Sequence, residues 1–466
     1  MKYKYRCSEN SRSDIEMCEE CFQKQLKIDR QAVEIEQLKN QLRYRKKNQN
    51  EPYGSSTPSS KIAFKENSLR SKENAENGRP TGHSDNGRTR FSEAEAEETI
   101  SLKVEIQACP ECGGRLESEG VDSRAFLDAA IIEAKKVIYK CQVKSCTKCK
   151  KKVTRKPIAL PGKIYSNNLI ANAMVMHYLE GIPLNTVARL MGNGVSGSAL
   201  IRIFHELGES WKDAYENLKK EYREEPVKHA DETGWRTKGN NGYAWLFCSP
   251  TISLFSFEKT RSGEIPKSIL GDVSLPGVLI VDRYAGYNQV PCHIQYCYAH
   301  LLRDVTDLEK KFPKIKEVQL FVADFAPLLT AAMKLRRQDI SNEEYIRAAR
   351  VLKEKILGLA RSPAKHAAIQ TYQSIFIEKE HRLFHWVQNR DVPCENNRAE
   401  RELRPTVIAR KVSFGSQSTK GALTRSILMS ILHSAAKRAQ KITIKQWILS
   451  SIDNLAQDSP LSFANL

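Results

Sequence analysis

Hydrophobic and polar positions divide the chain into stretches of different period. Residues 278–281 are an unbroken apolar run, Val278-Leu279-Ile280-Val281, introduced by Gly277 and ended by Asp282. A short β-branched run bounded in this way predicts a buried strand, central in a sheet. Two more strands are predicted over 243–248 and 252–257, preceded by the acidic segment VKHADETGWR at 227–236. Upstream, Leu169, Ile170, Ala173, Met174, His177 and Tyr178 recur at helical spacing, and further helices are predicted over 184–191 and from Ser196 onward. Gly192 and Gly194 break the last two, a pattern that suits a helix-turn-helix and plain helical packing equally well. From 304 to 390 the period is helical, with apolar faces at 320–329, 345–359 and 369–377, which predicts a helical insertion into the strand-rich part.

The first hundred residues read differently. Ile28, Ile35 and Leu42 recur at sevens with Leu38 between them, which predicts a short coiled coil, although Gln31 puts a polar residue at its other core position. Residues 45–98 are rich in Ser, Asn, Gly, Lys and Glu and have almost nothing to bury, so a flexible linker is expected. The resulting division is an N-terminal helix (1–45), linker (46–100), cysteine-rich segment (101–160), helical segment (165–222), core in two parts (226–303 and 391–452) around the insertion (304–390), and a tail (453–466).

Charge narrows the function. The chain of 466 residues carries 74 basic against 55 acidic side chains, a formal net charge of +19. Such an excess predicts a polyanionic partner, nucleic acid before an anionic membrane surface. No apolar run is read as approaching the roughly 20 residues that span a bilayer, and the N-terminus lacks a signal-like stretch, so a cytoplasmic protein without a membrane partner is expected. Twelve cysteines in that setting point to metal binding or buried thiols rather than disulfides.

Cys109-Pro-Glu-Cys112-Gly-Gly has the form of a zinc knuckle, and Cys146-x-x-Cys149 has matching spacing, with Cys141 an alternate ligand. Together they predict a structural Zn²⁺. The basic run that follows, including Lys150, Lys151, Lys152 and Arg155, suits a phosphate backbone. Cys18-x-x-Cys21 alone is read as free thiols. Asp282, at the end of a buried strand, would ordinarily be a turn or helix cap. With Asp231 on a second strand it becomes half of something else, because a pair of divalent cations needs carboxylates from separate elements.

A third carboxylate is expected in CENNRAERELRP, 394–405, where Glu395, Glu400 and Glu402 are equal by chemistry. If Asn397 caps a helix there, Glu400 is its capping-box partner. Arg398, Arg401 and Arg404 are placed to grip phosphates. Cys297-x-x-His300 is read as the start of a packed helix, with His300 and Arg303 within reach of the site's rim.

The segments HADETGWR, DRYAGY, CYAHLLR and ENNRAERELRP, followed by ARK and FGS, resemble the bacterial insertion sequence 66 family of DDE transposases. The similarity covers most of the chain and is strongest over 226–450. It implies an RNase H-like α/β core with a mixed sheet and a helical insertion, preceded by a coiled-coil helix, a zinc-ribbon-like segment and helix-turn-helix-like helices. It implies the triad Asp231, Asp282 and Glu400, holding two Mg²⁺ (or Mn²⁺), and it alone selects Glu400 over its neighbours. The implied activity is DNA cleavage and strand transfer at the terminal inverted repeats of an element and at target DNA. A homodimer or higher synaptic oligomer and accessory proteins of the same element would assist, in the cytoplasm and associated with the nucleoid. Rival readings are a DNA-binding regulator with an inactive core and a nuclease that does not join.

Overall fold

In a computed structural model, which describes Gln31 and residues 132–145, 152–154, 157–440 and 442–463, the apolar run at 278–281 is one of five strands in a mixed sheet. The elements below lie in one unit that includes Ala134–Leu466. A two-stranded antiparallel pair comes first, β1 (Val143–Ser145) with β2 (Lys152–Thr154). Four helices follow: α1 (Asn167–Met174), which runs into a π-helical turn at Val175–Leu179, α2 (Leu184–Met191), α3 (Gly197–Ser210) and α4 (Lys212–Glu224). The expected helix at 184–191 matches α2 at both ends. Gly192, Asn193 and Gly194, all with positive φ, turn the chain between α2 and α3.

The sheet is built from β3 (Val227–Thr237), β4 (Asn240–Cys248), β5 (Ser253–Glu258), β6 (Val278–Val281) and β7 (His293–Tyr296), in the spatial order β5-β4-β3-β6-β7. β3, β4 and β5 are antiparallel, whereas β6 lies parallel to both β3 and β7. The β3–β4 hairpin closes on Lys238 and Gly239, both with positive φ, a two-residue turn whose twist matches that of the strands. All four residues of β6 are buried. Gly277 begins that strand with φ +75, and a Cβ there would fall 2.2 Å from the carbonyl oxygen of Pro226, which accepts the amide of Val278 at 3.0 Å. Only glycine permits so close an approach. A short helix, α5 (Glu264–Leu270), connects β5 to β6.

Between β7 and the second part of the core the described chain is helical: α6 (Tyr298–Lys311), α7 (Lys316–Leu335), α8 (Asn342–Arg361), α9 (Ala367–Glu378) and α10 (His385–Gln388). The expectation that no apolar run reaches membrane-spanning length needs correction at α7, which is long and apolar enough by length and composition. Its Val318, Val322, Phe325, Leu329, Ala332 and Leu335 are buried in the core, as in the central helix of a globular bundle. The chain then returns through α11 (Asn397–Ser413), α12 (Thr419–Arg438) and α13 (Ile444–Leu455).

α12 covers the outer edge of the sheet. The hydroxyl oxygens of Ser426, Ser430 and Ser434 accept the backbone amides of Phe257, Phe255 and Ser253 at 3.1, 2.7 and 2.9 Å. Four residues of helix rise about 6 Å and two of strand about 6.8 Å, so serines one turn apart match alternate amides of an edge strand. This disposes of donors that would otherwise be open to another chain. Ser430 is fully buried. Ser430→Ala leaves the Phe255 amide unpaired and is expected to lower unfolding free energy by about 1–3 kcal/mol, read from the urea midpoint at unchanged slope.

α12 also carries Arg425, buried between the rings of Tyr178 and Trp235, each about 5.3 Å away. His177 Nδ1 donates to the carbonyl of Ile182 (2.8 Å), so its Nε2 accepts from Arg425 (2.9 Å) and the ring must stay neutral. Burial, reinforced by Arg425, lowers its pKa to about 3, and burial takes that of His433 down to about 4. Unfolding returns both toward 6.5, so the unfolded chain binds more protons below that pH. The contribution of these two histidines to stability is therefore expected to be full above about pH 6.5 and to fall steadily toward about pH 4. Urea unfolding across that window checks this. His433→Gln is expected to reduce the slope by about one proton, roughly 1.4 kcal/mol per pH unit.

Candidate active site

Asp231 lies in the middle of β3, and Asp282 directly follows β6. The parallel register pairs His229 with Ile280. Extended by two residues, it sets Asp231 beside Asp282, and the period of two directs both to the same face. The third carboxylate arrives by another route. Asn396 precedes α11 as its N-cap, and its side chain does not cap the helix but faces the sheet. Asn396 Nδ2 donates to the carbonyl of Ala230 (2.8 Å), and its Oδ1 accepts from His229 Nδ1 (2.9 Å). The Asn396 amide is directed at the sulfur of Cys297, 3.1 Å away, at the start of α6. Farther along α11, Arg410 donates to the Gly234 carbonyl (2.5 Å) and to Thr233 Oγ1 (3.3 Å). The helix is thus fastened to β3 at two places, with Glu400 in its first turn and near enough to Asp231 for its charge to act there.

Burial drives the Asp231 carboxyl well above the usual carboxylate range, and the negative charges of Glu232, Asp282 and Glu400 push it the same way. Only the Glu232 amide, donating to Oδ1 at 2.9 Å, opposes them. Carboxylate oxygens of this kind are the donors that suit a hard divalent ion.

The capping-box role for Glu400 does not hold. With Asn396 at the N-cap, Glu400 is one place beyond the box position, and its own amide bonds the Asn396 carbonyl (3.2 Å). The two rival glutamates are engaged elsewhere. Glu395 is buried and pairs with Arg337 (3.1 Å), while Glu402 bonds Lys437 (2.7 Å) and Ser253 (2.9 Å).

A second layer supports the aspartates. Glu232 points to the opposite face of β3 from Asp231 and bonds Arg261 Nε (2.7 Å) and the Tyr287 hydroxyl (2.5 Å). Arg261 lies over the ring of Tyr284 (3.9 Å), whose amide donates to Asp282 Oδ1 (2.9 Å). The turn after β6 is thereby tied to β3 from behind. Burial lowers the pKa of His229 to about 4, so it remains a neutral donor to Asn396. Sequence reasoning missed His229, Glu232, Arg261 and Asn396 as positioning residues. The alternation in HADE, which sends His229 and Asp231 one way and Glu232 the other, was the available signal.

Of the remaining residues, His300 lies beside Glu400, with Nδ1 to Oε1 at 3.9 Å, and Arg303 is exposed on α6. Arg398 and Arg401, together with Arg336 and Arg337, line a cavity of about 600 Å³ that reaches His229. Arg398 also pairs with Glu402 (3.7 Å), and Arg404 is exposed on the same helix. Cys141 is exposed. Cys109, Cys112, Cys146, Cys149, Lys150, Lys151, Arg155 and the side chain of Lys152 lie outside the described residues, as do the coiled coil and the linker, apart from Gln31.

A mixed five-stranded sheet with flanking helices defines an α/β core. A family model described as Transposase IS66 family matches residues 162–424, more than half of the chain and all three carboxylates. The chain belongs to that family, which gives it a transposase role and implies divalent metal use. No curated protein matches it.

Asn396→Ala removes both bonds to β3 and the partner of His229. It is expected to cost about 1–3 kcal/mol of stability by urea unfolding. DNA cleavage should fall further than that loss explains at temperatures where the variant stays folded.

Proposed function

We propose that this chain is the DNA transposase of a bacterial insertion sequence, binding the ends of its element and catalysing metal-dependent cleavage and strand transfer. The observation that carries the reading is Asp231 on β3 beside the parallel β6 that leads into Asp282, with α11, which carries Glu400, fastened to β3. The strand order, three antiparallel strands continued by two parallel ones, supports an RNase H-like core.

In this reading Asp231, Asp282 and Glu400 are the carboxylates that would hold the cations. A bound pair of Mg²⁺ ions (or Mn²⁺) supplies activation of the attacking hydroxyl and stabilisation of the leaving oxygen. The protein's own part is to hold oxygen donors in a fixed array and to orient DNA against them. Arg398 and Arg401, next to Glu400 on α11, are set to take phosphates on either side of the scissile bond, with Arg404 extending the basic face. Hydrolysis and joining use one site because only the nucleophile differs, water first and a DNA 3′-hydroxyl second.

The cysteine-rich segment with its Zn²⁺, the basic run after it and the helices α1–α3 would bind the terminal repeats. A net charge of +19 favours that partner. Pairing of two protomers through the N-terminal heptads would bring two ends together, with accessory proteins of the element assisting. The expected location is the cytoplasm, on the nucleoid.

Divalent-metal-dependent cleavage and strand transfer on an oligonucleotide carrying the element's end tests the reading. Asp231→Ala, Asp282→Ala and Glu400→Ala are each expected to lose at least about 100-fold in both steps while still binding the oligonucleotide. Retained activity in any of the three removes that residue from the triad. Cleavage without joining by the wild type would make the protein a nuclease, and binding alone would make it a regulator.

A further inference from the structure

Next to the proposed triad, Cys297 Sγ, a ring nitrogen of His300 and a carboxylate oxygen of Glu400 lie within 4.8 Å of one another. His300 Nδ1 is buried and has no hydrogen-bond partner. A buried polar nitrogen left in that state costs free energy, and the native protein needs a reason to keep it. The nitrogen stands 3.9 Å from Glu400 Oε1, too far for a hydrogen bond. Two donors on one ion, with bonds of about 2.0–2.2 Å, are separated by at most about 4.2 Å. The gap is therefore the right size for an ion between them.

The sulfur has another task. Cys297 is buried at the N-cap of α6, with the Asn396 amide directed at Sγ from 3.1 Å. It holds the starts of α6 and α11 together, and so sets His300, three residues into α6, against Glu400, one turn into α11.

We infer that His300 is a nitrogen ligand to the metal ion held by Glu400, so that this half of the site prefers first-row transition ions to Mg²⁺. The inference rests on the proposed role of Glu400 as a metal ligand. Mg²⁺ strongly favours oxygen donors, whereas imidazole is a good donor to transition ions. An imidazole at one position and carboxylates at the other would make the two cation positions chemically unequal.

The test uses the full-length chain with zinc supplied in advance, so that the cysteine-rich segment is already satisfied, and takes Mn²⁺ as the probe. Pulsed electron paramagnetic resonance of the Mn²⁺-loaded wild type is expected to show coupling to a ring nitrogen. His300→Ala should abolish that coupling and weaken Mn²⁺ binding at least about tenfold. Mg²⁺ affinity, measured by competition, should change far less. His300→Gln, similar in size and polarity but without an imidazole, should behave as His300→Ala does, which separates ligation from loss of fold. Nitrogen coupling that survives in both variants, or equal losses of Mn²⁺ and Mg²⁺ affinity, overturns the inference. Failure of the underlying reading looks different: Asp231→Ala and Glu400→Ala would then leave the binding of both ions unchanged.

Discussion

The acidic rim depends on where one asparagine puts its side-chain amide. Asn396 bonds the Ala230 carbonyl and His229 on β3, while its backbone amide meets the Cys297 sulfur at the start of α6. Three segments far apart in the chain are brought to one point. Packing and neutral hydrogen bonds of this kind hold the frame that carries Asp231 and α11.

Polar contacts in the interior serve the same end. The serine series on α12 takes up the amides of β5, so the sheet ends in a helix rather than in an open edge. On the other side of α12, Arg425 reaches neutral His177 and two aromatic faces, joining the helices before the sheet to those after it. Lys228, wholly buried on the face of β3 opposite His229, donates to the carbonyls of Glu225 and Pro276 and pins the strand to the turn that leads into β6. Each of these bonds a backbone or neutral group, so the sheet that carries the aspartates is tied to its neighbours by satisfied polar contacts.

Further basic residues lie beside this frame. Arg336 and Arg337, from the end of α7, meet Arg398 and Arg401 of α11 around one cavity beside β3. The helices between β7 and α11 therefore contribute charge to the neighbourhood of the acidic rim. A member of a transposase family needs such a surface, because its substrate is a polyanion and its cations sit among carboxylates that repel it.

How much of this was legible in the sequence follows from the range of each interaction. The buried strand at 278–281 and the helix at 184–191 were readable to the residue, because hydrophobic period and glycine breaks are local signals. Asp231 and Asp282 were readable as a pair for the same reason, each lying on or just after a recognisable strand. Within CENNRAERELRP, composition left three glutamates equal, and likeness to a family had to choose among them. Tertiary structure gave them different partners. Glu395 turns to Arg337, Glu402 to Lys437 and Ser253, and Glu400 lies beside His300. The apolar length of α7 and the serines of α12 likewise acquire meaning only beside their neighbours, some of them about 175 residues away in the chain. The sequence by itself determined the elements and their chemistry, since period and residue type are properties of short stretches. What each carboxylate touches was decided only in the folded chain, where hydrogen bonds between distant segments set the angle and register of each element.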